Sequence, residues 1–135
     1  MKAAKTMDIV RKNVVFDASD IEAETSFWTN VLGGQVSDED SNDPRWRDIV
    51  VDGEIQVSVQ HAPDHIAPTW PAGEDDQHQQ LHYDLTVASA EFEASCQEVL
   101  ALGAHSLQEP RDLEAAHGFH VFADPAGHPF CICWG

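Results

Sequence analysis

From Asn13 the chain alternates, NVVFD, with Val14 and Phe16 on one face and Asn13, Val15 and Asp17 on the other, which predicts a strand. The period then changes. Ala23, Phe27, Val31 and Leu32 recur at helical spacing, behind a Ser19-Asp20-Ile21-Glu22 capping box and ahead of Gly33-Gly34, so a helix is predicted over about residues 20 to 32. Gln35-Val36 and a polar loop, SDEDSNDP, lead to two further alternating stretches, WRDIVVDG and EIQVSVQH, joined by Asp52-Gly53 as in a hairpin. Residues 62–80, APDHIAPTWPAGEDDQHQQ, hold three prolines and many polar groups and predict a linker.

After the linker the order repeats. LHYDLTV alternates as a strand, Ser89 can cap a helix over about residues 90 to 102, and Phe92, Cys96, Val99 and Leu100 form its buried stripe. A short strand near His105 to Leu107 and strands at FHVFAD and PFCICW follow. Asn13 to Asp20 lies over His82 to Ser89, and Val31-Leu32-Gly33 over Ala101-Leu102-Gly103, a repeat in register. The expected fold is therefore α+β: one domain of two pseudo-symmetric βαβββ modules, about 13–61 and 81–135. One helix per module covers one face of its strands, leaving the other faces to form a cupped, partly open mixed sheet around a cavity.

Composition narrows the partners. A chain of 135 residues is one domain with enough length for a core. Seven Lys and Arg against 24 Asp and Glu give a net charge of −17, which repels phosphate backbones and anionic lipids. Nucleic acid and membrane are not expected partners; a neutral or cationic small molecule is. The apolar runs fall short of a membrane span and MKAAKTMDIV lacks an apolar signal segment, so a cytoplasmic protein is expected. Three cysteines do not make a disulfide framework and read as thiols.

Alternation assigns faces. Ile55, Val57, Val59, Tyr83, Leu85, Phe130 and Ile132 are placed beneath the helices, while Gln56, Ser58, Gln60, His82, Asp84, Cys131 and Cys133 are placed toward the cup. Trp46, Trp70 and Phe119 are candidates for its rim, able to stack on a flat ligand. Trp28 and Cys96 belong to helix cores. His82 with Cys131, and Cys133 beside them, comes close to a catalytic zinc set of three ligands, yet thiols two apart on a strand also serve as small buried apolar residues. His82 and Cys131 are equally the one thiol–imidazole pair that could act in catalysis. His61 and His65 have HxxxH spacing, but Pro63 removes the helix that would align them.

VVFDASD followed by FWTNVLGG, then APTWP with QLHYDLTV, then ADPAGHPFC, in this order and spacing, resemble the vicinal oxygen chelate superfamily. This is the glyoxalase, bleomycin-resistance and dioxygenase group, and the likeness is to its small glyoxalase-like branch, over about residues 12 to 134. It implies a homodimer and, in metal-using members, four cavity-facing ligands, two per module. His82 stands where the family often has a ligand histidine; its counterpart is Asn13. The glutamate expected in the last strand is Cys131, and the matching place in the first module is Gln56. With His82 the one matched metal ligand, a divalent metal is the less favoured cofactor. The resemblance implies a protein that binds a small organic molecule in the cup; a metal-dependent lyase, isomerase or dioxygenase is the alternative.

Overall fold

A computed structural model describes residues 7–37 and 43–135 of the chain, so most of the SDEDSNDP loop lies outside the described residues. The first module runs β1 (Val14–Ala18), α1 (Ile21–Leu32), β2 (Gln35–Val36), β3 (Trp46–Val51) and β4 (Glu54–His61). The second runs β5 (Tyr83–Val87), α2 (Phe92–Ala101), β6 (His105–Gln108), β7 (Gly118–Ala123) and β8 (Pro129–Trp134). Each module closes its own four-stranded mixed sheet, in the orders β1-β4-β3-β2 and β5-β8-β7-β6. In each the first strand is parallel to the last. The mixed sheet is thus divided into two halves, joined by packing, with no strand pair between them among the described residues.

Local chemistry explains most of the boundaries. At the hairpin between β3 and β4, Asp52 has φ 52° and Gly53 φ 82°, the two left-handed residues that an Asp-Gly turn supplies cheaply. α1 ends on Gly33 at φ 67°. Its start differs from the capping-box reading: the cap is Asp20, whose side chain accepts from the Ala23 amide at 3.1 Å, one residue after Ser19. Ser89 likewise opens a single 3-10 turn, Ser89–Glu91, and α2 begins at Phe92 with no side-chain cap.

The core forms where α1 meets both sheets. Trp28 stacks on Phe16 of β1 at 5.0 Å and meets Tyr83 and Phe130 of the second module edge-on at 5.5 and 5.2 Å. Phe27 reaches Phe130 at 5.6 Å. Val57, Val59, Phe130 and Ile132 join the same cluster, so the helix-side faces are those the alternation indicated. Truncating a buried aromatic of this kind costs about 3–5 kcal/mol.

One polar knot sits inside this core. Asp124, 1% exposed, heads the turn before β8: one oxygen accepts from the Ala126 and His128 amides at 3.1 and 2.8 Å, the other from Trp28 Nε1 at 2.9 Å. Glu24 of α1, fully buried, accepts from the Ala126 amide at 3.0 Å and from Trp28 Nε1 at 3.3 Å. Burial, and then Asp124 alongside, pushes the Glu24 carboxyl up to about 10, so it is held as the neutral acid. The turn closes on Gly127, φ 90°, where a Cβ would stand 2.4 Å from Ala67 of the linker.

Candidate functional site

The site is built by register. β5 and β8 run parallel with Tyr83 opposite Phe130 and Leu85 opposite Ile132 on the core side, which leaves Asp84 opposite Cys131 and Thr86 opposite Cys133 on the face away from the helices. His82 precedes Asp84 by two residues, and its Nε2 lies 3.4 Å from Asp84 Oδ1. One donor atom each from His82, Asp84 and Cys131 fall within 4.8 Å of one another. On β7, Val121 stands opposite Cys131 and Phe119 opposite Cys133, with Phe119 exposed beside the cluster.

Charge in this cluster has one sign. Burial first, then the neighbouring Asp84 and Cys133, push the Cys131 thiol up to about 12. Burial and Asp84 raise Cys133 as well, partly opposed by a hydrogen bond with Thr86. Activated nucleophilic cysteines need the reverse, an electropositive setting that favours thiolate. A cation placed among the three donors would relieve each of these penalties.

The other candidates stand on the first sheet. Ser58 donates to Asp48 at 2.5 Å, receives from Asn13 Nδ2 at 2.8 Å, and is fully buried; Trp46 Nε1 also donates to Asp48, at 2.7 Å. Trp46 pairs with Gln60 across β3 and β4, and Gln60 is exposed. Gln56 falls opposite the bulge between Ile49 and Val50, where its amide donates to the Val51 carbonyl at 3.4 Å. Trp70 is half-buried in the linker, before a cis peptide bond to Pro71. No hydrogen bond among the described residues joins these groups to His82, Asp84 and Cys131. The structure therefore brings together His82, Asp84 and Cys131, with Cys133 and Phe119 beside them. It sets Gln56, Ser58, Gln60 and Trp46 apart on the other sheet.

Sequence reasoning did not single out Asp48 or the Glu24–Asp124 pair. Asp48 is directly cross-strand from Ser58, so the hairpin register carried that signal. His61 and His65 do not converge: His65 Nε2 is bonded to the Ala126 carbonyl at 2.9 Å.

Two halves of βαβββ order, each with a parallel pair between first and last strand, define a class of small α+β proteins. The sequence profile of the glyoxalase-like domain family matches residues 13–133, and the chain belongs to that family. No curated protein matches it in sequence. Among solved structures it is similar to the fosfomycin resistance protein FosX from Listeria monocytogenes, with 15% identity, 96% of this chain and 95% of that one covered, and a TM-score of 0.69. FosX from Mesorhizobium loti gives 18%, 96%, 94% and 0.66 on the same measures. A glyoxalase/bleomycin resistance protein/dioxygenase family enzyme from Burkholderia phytofirmans PsJN gives 18%, 90%, 95% and 0.65. These likenesses show the fold. No helix among the described residues is long and apolar enough to cross a membrane.

Proposed function

We propose that the chain holds a divalent ion of the zinc class over His82, Asp84 and Cys131 and binds a small organic ligand beside it, on the open face of β5 and β8. The observation that carries this reading is the convergence of an imidazole nitrogen, a carboxylate oxygen and a thiol sulfur within 4.8 Å. Three protein donors with a further position open is the pattern of catalytic zinc. The donor set also speaks to the metal. The Listeria FosX has been solved with Mn(II), an ion that prefers oxygen and nitrogen; a sulfur donor shifts preference toward softer zinc.

When bound, such an ion would polarise an oxygen of the ligand. The protein's own part is to orient and to supply charge. Asp84 sets the charge beside His82 and Cys131. Cys131 gives up its proton on loading, and Phe119 offers an aromatic face to the organic body. A second reading, an organic cation on the same three residues, is favoured by the raised thiols and by the net charge of −17. The homodimer belongs to the same proposal, since β5 is an edge strand that a second copy could extend. A cytoplasmic setting suits the three free thiols.

Metal content of the tag-free protein, with calorimetric titration of zinc, tests the reading. One equivalent per chain is expected, with affinity lowered at least about tenfold in both His82→Ala and Cys131→Ser. Absence of zinc uptake together with binding of an organic cation would favour the second reading.

A further inference from the structure

A recess of about 420 Å³ lies along β1, between the linker and the turn before β8, and neither His82, Asp84 nor Cys131 lines it. Its size falls in the usual range for small-ligand sites, about 300–1,000 Å³. Part of its wall is apolar and exposed: Val14, Val15, Ile66 and Leu81. The charged groups in its lining are Asp17 and Asp64, with no Lys or Arg among them.

Three imidazoles share its lining: His65, His78 and His128. His128 Nε2 stands 2.7 Å from the Asp17 carbonyl and His65 Nε2 stands 2.9 Å from the Ala126 carbonyl. A carbonyl can only accept, so each Nε2 carries a proton and is held by the fold. The two rings, 4.9 Å apart, form one side of the recess. Gln79, also in the lining, has a buried Oε1 with no donor. Two carboxylates and an unmatched amide oxygen beside an apolar wall, with no lysine or arginine among them, call for a ligand that brings both donors and positive charge.

We propose that this recess binds a small amphipathic ammonium ion, its N–H groups on Asp17 and Asp64 and its apolar body against Val14, Val15, Ile66 and Leu81. The site is independent of the metal reading, because the two share no lining residue.

The test titrates the full chain, in buffer with a chelator, with hexylammonium chloride, and separately with sodium hexanoate, followed by amide NMR shifts or calorimetry. Hexylammonium should saturate with Kd below about 1 mM and hexanoate should bind at least about tenfold more weakly. The double variant Asp17→Asn with Asp64→Asn, both exposed and checked for folding by circular dichroism, should lose at least about tenfold in affinity. His82→Ala should bind as the parent does. Hexanoate binding equal to the ammonium, no saturation by about 10 mM, or an unchanged double variant would each overturn the proposal. A loss in His82→Ala matching that of the double variant would move the amine to the β5–β8 cluster, and overturn it too.

Discussion

Replacing Glu24 by Gln should stabilise the protein at neutral pH. The Glu24 carboxyl sits at about 10 in the fold against an ordinary 4.5, raised first by burial and then by Asp124. A raised acid favours the fold below its unfolded value and works against it as pH climbs toward the folded one. At pH 7 the folded chain keeps a proton that the unfolded chain gives up, which costs about 3 kcal/mol across the interval from 4.5. Glutamine never ionises. Its oxygen can keep the Ala126 bond, its amide can donate to Asp124, and the 3.3 Å contact from Trp28 is the one lost, while Trp28 still donates to Asp124 at 2.9 Å. A net gain of about 2–3 kcal/mol at pH 7 follows, shrinking to nothing at about pH 5. Urea unfolding of both proteins at pH 5, 6, 7 and 8 measures it, and contributions from other titrating groups cancel in the difference. The gap should widen by about 1.4 kcal/mol per pH unit. Parallel stability curves between pH 5 and 8 would mean that Glu24 is already ionised in the fold, and would refute the argument.

Three further outcomes are expected. Trp28→Phe keeps an aromatic ring in the core but removes the donor that Glu24 and Asp124 share; urea unfolding should show a loss of about 1–3 kcal/mol. Cys131→Glu replaces the sulfur donor by a carboxylate, so competitive metal titration should show manganese gaining on zinc by at least about tenfold relative to the parent. Zinc must displace the Cys131 proton, held up to about 12, so zinc affinity should rise about tenfold per pH unit through neutrality and flatten in Cys131→Ser.

What was legible in the sequence was what depends on period. A two-residue alternation put Phe130 and Ile132 inside and Cys131 and Cys133 outside, and the Asp52-Gly53 turn marked its hairpin. The third donor, Asp84, was legible as a cup-facing residue. Its partnership with Cys131 needed the parallel pairing of β5 with β8, a contact between residues 47 apart in the chain. Gln56 has no cross-strand partner because the register shifts between Ile49 and Val50, and no composition signal announces that shift. Glu24 looked like any acidic residue near a helix start. It is buried because a turn 102 residues away brings Ala126 and Asp124 over it. The edge recess escaped for the same reason: its wall is assembled from β1, the linker and His128, which have no common motif.

The proposed centre is tested most directly by zinc K-edge X-ray absorption on the zinc-loaded chain. One sulfur scatterer at about 2.3 Å is expected, with nitrogen and oxygen at about 2.0–2.2 Å, and the sulfur shell should be lost in Cys131→Ser. A spectrum with oxygen and nitrogen alone, or a sulfur shell that survives in that variant, would contradict it.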